Sequence, residues 1–297
     1  MIFTSEQPKI LVVGSSSIDL VLNTEREVLP NETVIAVKSE SFFGGKGANQ
    51  AVGTSRLGAS VYFVGCVGMD PHGQQIMRHL VNEGVNVGYV KESEEAETGT
   101  AYVTASLGSN TIVVVPAANY CLNKQDIENA ERLFETADLI LLQLEIPMDI
   151  IEYVVALCKK YNKKIGIYAS PARHISKEII EYAAFIISKS SELSTVFGEE
   201  SREDILRRYP NKLFVRDDTN ATIYFDGSEM KYYRNDQNET PNKMGMGDAF
   251  TSGFSIALQH GNSIADCVKF GNEVAWNVAK HRGSQVGLPY KSDFVQR

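Results

Sequence analysis

The sequence predicts an α/β fold in which a mostly parallel sheet carries helices on both faces, with a small second sheet beside it. Short segments rich in Val, Ile and Leu alternate with segments whose apolar residues recur at helical spacing, and this alternation favours a parallel sheet. The predicted buried strands lie at 10–13, 61–66, 138–144, 165–168, 185–188 and 213–216. The predicted helices lie at 48–57, 73–83, 127–134 and 150–160. In sheets of this kind, ligands bind beyond the carboxyl ends of the strands.

Two further pairs of segments alternate apolar and polar residues, which is typical of half-buried strands. The first pair, 20–23 and 33–43, is separated by a Pro-Asn turn, and the second pair lies within 98–116 around the hairpin signal Gly-Ser-Asn. We therefore expect these strands, within about 20–43 and 98–116, to form a small sheet inserted in a single domain that spans residues 1–297.

The composition excludes several classes of function. With 297 residues, of which 43% are hydrophobic, the chain can bury a core without disulfides or metal ions. A net charge of −8 argues against a nucleic-acid partner. No segment reaches the ~18 apolar residues of a membrane span, and the N-terminus lacks a secretion-signal pattern. Four well-separated cysteines favour reduced thiols, so we expect a cytoplasmic protein without a membrane partner.

Two glycine-rich segments carry residues suited to chemistry. The first, Gly-Gly-Lys-Gly-Ala-Asn-Gln at 44–50, lies between a strand and a helix, where glycines and the helix dipole allow a ligand to approach closely. The second, Gly-Met-Gly-Asp at 245–248, opens a helix, so its free amides form an anion site beside the Asp248 carboxylate. Each segment also has a structural interpretation, because the first could be a flexible turn and Asp248 could only stabilise the helix dipole.

Together and in this order, the two segments resemble those of the ribokinase-like, or PfkB-type, carbohydrate kinases, and most nearly the ribokinase branch. The similarity covers nearly the whole chain, because residues 14–19 resemble the family's first sugar loop and residues 141–145 resemble the end of its central strand. It implies a three-layer α/β/α fold whose small sheet is a lid over the sugar and the interface of a homodimer. It also implies phosphorylation of a small sugar hydroxyl by ATP, with Mg²⁺.

The resemblance further implies a role for each motif residue. Asp248 would be the general base that takes the proton from the attacking sugar hydroxyl. The amides of Gly245, Met246 and Gly247 would hold the phosphoryl oxygens. Carboxylates and amides suit a polyol because each can bind two hydroxyls. The sugar pocket would be lined by Ser17, Asp19, Gly45, Lys46, Asn49 and Glu145.

The nucleotide side departs from the family pattern. Where the family has Asn-x-x-Glu, this chain has Lys-Ser-Ser-Glu at 189–192, so Lys189 replaces the Asn and Glu192 is retained. We expect Glu192 to lie at Mg²⁺. The family's Thr-x-Gly-x-x-Gly loop aligns with residues 216–221, so Asp218 stands at the first glycine. We expect Lys189, Arg216 and Asp218 to contact the nucleotide. We also expect weak ATP binding, because a carboxylate at Asp218 would face the phosphates.

Other positions differ as well. Ser17 and Tyr168 each replace a family Asn, and Asn242 and Gly287 stand where ribokinase-type potassium ligands would be. These changes leave the identity of the sugar open and predict little activation by K⁺. Two alternatives are a sugar-binding sensor with a degenerate nucleotide site and a nucleoside kinase of the same fold. The retained Gly-x-Gly-Asp favours an enzyme, because a protein that only binds sugar has no need of a base.

Overall fold

Strands of two separate sheets account for the β-structure of this computed structural model, which describes residues 1–106, 109–217, 219–234 and 244–295. Numbered along the chain, the strands are β1 (Lys9–Val13), β2 (Ser17–Asn23), β3 (Lys38–Gly44), β4 (Ser60–Gly68), β5 (Val85–Ser93), β6 (Thr100–Ser106), β7 (Ser109–Val115), β8 (Leu139–Gln143), β9 (Lys164–Tyr168), β10 (Phe185–Lys189), β11 (Leu213–Arg216), β12 (Thr222–Phe225) and β13 (Met230–Tyr233).

The large sheet has the strand order β13-β12-β11-β10-β9-β8-β1-β4-β5. Its strands are parallel except at one edge, where β12 runs antiparallel to both β11 and β13. Side chains of β1 alternate between two cores, because Ile10 and Val12 pack on one face and Leu11 and Val13 on the other. A strand that is buried on both faces reads as a continuous apolar run, which is why β1 and β8 could be recognised in the sequence.

Helices cover both faces of this sheet. They are α1 (Lys46–Arg56), α2 (Pro71–Asn82), α3 (Lys124–Asn129), α4 (Glu131–Thr136), α5 (Met148–Lys160), α6 (Lys177–Tyr182), α7 (Leu193–Phe197), α8 (Arg202–Arg208), α9 (Met246–Gln259) and α10 (Ile264–Ala279). Helices α1, α2, α9 and α10 contribute to the core on one face, and α3 to α8 contribute to the core on the other. No helix in the described part of the chain is both long and apolar enough to cross a membrane.

The small sheet has the order β3-β2-β6-β7. Strand β2 pairs antiparallel with β3 and parallel with β6, and β6 pairs antiparallel with β7. Because β2 follows β1 after a three-residue turn and β3 leads directly into α1, this sheet is tied to the large sheet on the side where the parallel strands end.

The structure confirms the predicted three-layer α/β/α arrangement with a small separate sheet. One strand prediction was too long, since β3 begins at Lys38 and residues 33–37 are not in a strand. The predicted helix at 127–134 is two short helices that meet at Ala130. Sequence analysis also missed β5, β12 and β13, which lie at or near the edges of the large sheet. Residues in such strands are partly exposed, so their apolar pattern is weaker.

We expect Phe254→Ala in α9 to lower the free energy of unfolding by about 3–5 kcal/mol, because truncating a buried Phe removes apolar contacts and leaves a cavity. The Phe254 ring is fully buried and its centroid lies 4.8 Å from Phe185 and 4.6 Å from Phe214. Denaturant unfolding measures the change. Phe197→Ala, at a half-buried position, is the matched control and should cost less than half as much; equal losses would contradict the prediction.

Candidate active site

A cavity of about 380 Å³ lies between the small sheet and the carboxyl ends of β1, β8, β9 and β10. Its position agrees with the rule that open parallel sheets bind ligands at this edge. The inner face of the small sheet contributes an apolar wall, made of Ala101, Val103, Ile112 and Val114. The residues predicted for the site that line the cavity are Ser17, Asp19, Gly45, Lys46, Asn49, Glu145, Lys189, Glu192, Gly245, Gly247 and Asp248.

The first glycine-rich segment turns the chain from β3 into α1 at the cavity wall. Gly45 has φ 85°, a left-handed conformation that favours glycine. A Cβ at Gly45 would overlap the backbone of Ser16, and a Cβ at Gly44 would overlap the Asp19 carboxylate. The two glycines therefore allow the start of α1 to lie directly against the loop between β1 and β2, which brings Lys46 and Asn49 to the same cavity as Asp19.

Lys46 and Glu145 form an ion pair inside the cavity. The Lys46 Nζ lies 3.1 Å from Glu145 Oε1, and the Lys46 amide donates to Glu145 Oε2 at 3.1 Å. Ser15 Oγ also donates to Glu145 Oε2, at 2.5 Å. Burial favours the neutral form of each partner, but the opposite charge prevails: the pKa of Lys46 is raised and that of Glu145 is lowered. Both groups are therefore charged at neutral pH.

Asp248 lies in the first turn of α9, at the other side of the cavity. Gly245 precedes this helix with φ 74°, and a Cβ there would lie 2.7 Å from Ser284 Cα. The carboxylate is held by two amides of α1. Asn49 Nδ2 donates to Asp248 Oδ2 at 2.9 Å, and Gln50 Nε2 donates to Oδ1 at 3.1 Å. Both carboxylate oxygens are thus oriented while the group still faces the cavity.

Burial makes Asp19 and Asp248 weaker acids than usual. Desolvation is the largest effect on each, and it raises the pKa of both carboxyls from 3.8 to about 6. The Lys46 charge and the hydrogen bonds from Asn49 and Gln50 partly oppose this rise at Asp248. A carboxyl with a pKa near 6 is mostly ionised at neutral pH and yet binds a proton more tightly than an ordinary aspartate, which suits a general base.

Lys189 and Glu192 line the part of the cavity farthest from Asp19 along the sheet, at the end of β10. Glu192 Oε1 accepts from Ser170 Oγ at 3.0 Å and lies 3.4 Å from Lys189 Nζ. Glu192 Oε2 is buried and has no hydrogen-bond partner among the described residues. An unpaired carboxylate oxygen fits Mg²⁺, which commonly takes one or two carboxylates and completes its shell with phosphate and water oxygens.

Comparison with known proteins identifies the family. The profile of the pfkB family carbohydrate kinases matches residues 7–291. The chain belongs to this family. A ribokinase of Bacillus subtilis is 34% identical over 284 residues, which cover 96% of this chain and 97% of that protein. A ribokinase of Lactococcus lactis is 30% identical over 289 residues, covering 96% and 95%.

Solved structures agree in fold. A ribokinase from Thermotoga maritima superposes with a TM-score of 0.83 at 28% identity, covering 96% of this chain and 97% of its own. A ribokinase from Arabidopsis thaliana, complexed with ribose and ATP, superposes with a TM-score of 0.83 at 26% identity and the same coverage. The protein is therefore a carbohydrate kinase, a phosphotransferase that acts on a sugar hydroxyl.

Two of the residues predicted for this kinase site, Met246 and Arg216, do not line the cavity, and a third, Asp218, lies outside the described residues. Met246 is buried in the core beneath the start of α9, so only its amide could serve the site. Arg216 is buried, and its guanidinium lies over the Phe250 ring, 4.7 Å from the centroid. Asp218 lies outside the described residues, as does Asn242, and the roles proposed for them stay predictions.

Sequence reasoning assigned no role to several residues that line the kinase cavity. Asn119 clamps the loop between β1 and β2, because it both accepts from the Ser16 amide and donates to the Ser16 carbonyl, each at 2.9 Å. It follows the small sheet in a short 3₁₀ helix, with no motif to mark it. Tyr168, one of the departures from the family pattern, has its hydroxyl end against Gly247. Ser15 lies in the segment 14–19 that resembles the family's first sugar loop, so this motif could have pointed to it.

We expect Asp19→Asn to stabilise the ligand-free kinase at pH 8 and to have little effect at pH 4. Because the pKa of Asp19 is about 6 when folded and 3.8 ordinarily, its contribution to stability is full below pH ~4 and is lost as pH rises through ~6. Asparagine does not ionise, so the gain at pH 8 should reach up to about 3 kcal/mol. Thermal unfolding at both pH values tests this, with exposed Asp149→Asn as the control. A gain that is equal at both pH values would contradict it.

Proposed function

We propose that the protein transfers the γ-phosphoryl group of ATP to a hydroxyl of a small sugar of about pentose size. The observation that carries this proposal is the Asp248 carboxylate, which faces the cavity at the N-terminus of α9 and is oriented by two buried amides. Relatives that cover nearly the whole chain are ribokinases, and one similar structure is a complex with ribose and ATP. Ribose is therefore the first sugar to test.

The sugar would bind at the end of the cavity nearest the small sheet. Asp19 and Asn49 offer acceptor and donor atoms there, and Ser17 Oγ donates to Asp19 Oδ1 at 3.0 Å, which fixes that carboxylate. The charged Lys46–Glu145 pair offers both a donor and an acceptor. A polyol can satisfy such groups through its hydroxyls, because each hydroxyl can both donate and accept a hydrogen bond. The apolar wall of the small sheet would cover the bound sugar as a lid.

In the reaction, Asp248 would accept the proton of the attacking hydroxyl as its oxygen bonds to the γ-phosphorus and the bond to the β,γ-bridging oxygen breaks. ADP leaves with that bridging oxygen, and the sugar keeps the phosphoryl group. The amides of Gly245, Met246 and Gly247 would hold the transferring oxygens, since the first amides of α9 have no partner within the helix. Charge placed there is stabilised without reorganisation.

Glu192 would hold Mg²⁺, and Lys189 would face the nucleotide phosphates. Mg²⁺ would neutralise charge on the phosphate oxygens when bound. Glu192 Oε2 is available for this, because no described residue donates to it. The described residues contain no group of three or more His, Cys, Asp or Glu that could enclose a metal ion. A single carboxylate such as Glu192 suits a metal ion that is held mainly by substrate phosphate and water oxygens.

Asp248→Asn is expected to lower kcat by ~10²–10⁴-fold while sugar binding is retained, because loss of a positioned base has about that effect. ADP release with a panel of sugars measures turnover, and thermal shift with sugar alone measures binding. Asp266→Asn, at the equivalent first-turn position of α10 and exposed, is the control for loss of a helix-terminal carboxylate.

More than about a tenth of wild-type kcat in Asp248→Asn would show that Asp248 is not the base. The proposed function would be overturned, in favour of a sugar sensor, if sugar stabilised the wild-type protein but no sugar or nucleoside in the panel caused ADP to be released from ATP.

Turnover is expected to require Mg²⁺ and to gain little from K⁺. A Cβ at Gly287 would lie 2.6 Å from His281 Nδ1 and 2.7 Å from the Asn277 carbonyl oxygen, so the hydroxyl-bearing residue of a ribokinase-type potassium site does not fit there. Titrating K⁺ against tetramethylammonium at constant ionic strength, with and without Mg²⁺, tests both halves. Several-fold activation by K⁺, or full activity after removal of Mg²⁺ by a chelator, would contradict the prediction.

We also propose that residues 1–297 form one domain, which is cytoplasmic and dimerises through the small sheet. The cysteines are free thiols, which supports a reducing compartment. Val113 on edge strand β7 is 59% exposed, and its cross-strand partner Tyr102 is 50% exposed on the same, outer face. An exposed apolar edge strand favours pairing with another chain.

Sedimentation should show that the wild-type protein is a dimer and that Val113→Asp dissociates it. A monomeric wild-type protein would exclude the proposed dimer.

A further inference from the structure

Both oxygens of Asp248 are the end points of hydrogen-bond chains that begin outside the cavity. The first donors are Asn49 and Gln50, consecutive residues of α1. Each of these amides also has an oxygen, and each oxygen accepts a hydrogen bond from a further glutamine. Within the described part of the chain, these two glutamines, Gln285 and Gln143, make no direct hydrogen bond to Asp248 and are linked to it through the amides of α1.

The first chain runs through the loop that follows α10. Gln285 Nε2 donates to Asn49 Oδ1 at 2.9 Å, and Gln285 Oε1 lies 2.7 Å from His79 Nε2. Because the Asn49 oxygen is engaged by a donor, its Nδ2 must face Asp248. The loop is itself fixed, since Arg56 donates to the main-chain oxygen of Gln285 at 3.0 Å and pairs with Glu83.

The second chain runs through the end of β8. Gln143 Nε2 donates to Gln50 Oε1 at 2.7 Å, so the Gln50 Nε2 must likewise face Asp248. Gln50 and Gln143 are completely buried, and Asn49 and Gln285 are each 4% exposed. Hydrogen bonds in such surroundings polarise one another, and an amide that turned its oxygen toward a buried carboxylate would be strongly unfavourable.

We propose that Gln285 and Gln143 are positioning residues, which fix the direction of the Asn49 and Gln50 amides and thereby keep two N–H groups on the base. The inference rests on the proposed role of Asp248 as that base. Without Gln285, Asn49 can rotate its amide, and the ionised form of Asp248 loses part of its stabilisation. The proton would then be held more tightly, and the base would be available only at higher pH.

Other charged and titratable groups also face Asp248 and must be held constant in a test. They are Lys46 on α1, Glu145 after β8, Asp19 on β2 and Tyr168 on β9. Gln285→Met changes none of them, and it replaces the amide by an uncharged side chain of similar length. A shift caused by this variant therefore reports the amide chain rather than a new charge.

The experiment is a ¹³C NMR titration of the Asp248 carboxyl in protein labelled at aspartate Cγ, with Asp248→Asn to assign the signal. Asn49→Ala should raise the pKa of Asp248 by about 1–2 units, because it removes a hydrogen bond to a charged group. Gln285→Met should raise it by about half a unit or more. The same Gln285→Met change in an Asn49→Ala background should have no effect, because its path to Asp248 is gone. Val286→Met, exposed in the same loop, is the control.

An unchanged pKa in Gln285→Met, or an equal shift in both backgrounds, would overturn the proposal. Gln285→Glu serves as a second variant should Gln285→Met fail to fold, since its direct charge effect is present in both backgrounds and cancels in the difference. Gln143→Met tests the second chain in the same way against Gln50→Ala. The acid limb of kcat against pH should move with the NMR value. The titration needs no turnover, so failure of this inference is distinct from failure of the proposed kinase activity.

Discussion

The close packing of α1 against α9 is the constraint on which the site depends. Asn49 and Gln50 can reach Asp248 only because the two helices approach within one side-chain layer. Gly53, one turn further along α1, makes this possible: a Cβ there would overlap the Ser252 hydroxyl of α9. The two glycine-rich segments that mark the family begin these two helices. The motifs therefore provide ligand-binding amides and also define one helix–helix contact.

Charge inside the cavity is unbalanced in the ligand-free protein. Asp19, Glu145 and Asp248 face a single lysine of α1, Lys46, and that lysine is already paired with Glu145. Two carboxyls therefore share the burial penalty, which is visible in the raised pKa of both. Burial of these two carboxylates costs folding free energy, and a polyol that donates hydroxyl hydrogens to them would offset that cost. Substrate affinity would then share its physical origin with a cost to stability.

The sequence was sufficient where one local rule decided the structure. Strands buried on both faces, such as β1 and β8, are continuous apolar runs, and the helices that follow the glycine motifs begin within two residues of the predicted positions. It was insufficient where distant segments decide the outcome. Asn119 and Gln285 have no motif of their own, and they acquire a role only because the fold brings them to Ser16 and Asn49. The edge strand β5 was missed because its exposed residues dilute the apolar pattern.

The nucleotide-side departures from the family fall into two physical classes. Lys189 lines the cavity and lies beside Glu192, so it adds a positive charge where phosphate would bind. Arg216 instead turns into the core, where it stacks on Phe250 and donates to Asn272 Oδ1 at 3.1 Å. Burial lowers its pKa to about 10, which leaves it charged at neutral pH. Arg216 thus joins β11 to α9 and α10 behind the proposed anion site. In the sequence, Arg216 looks like part of the loss of the family's nucleotide-binding loop. In the structure it is a buried cation that packs against α9, the helix that carries the proposed base.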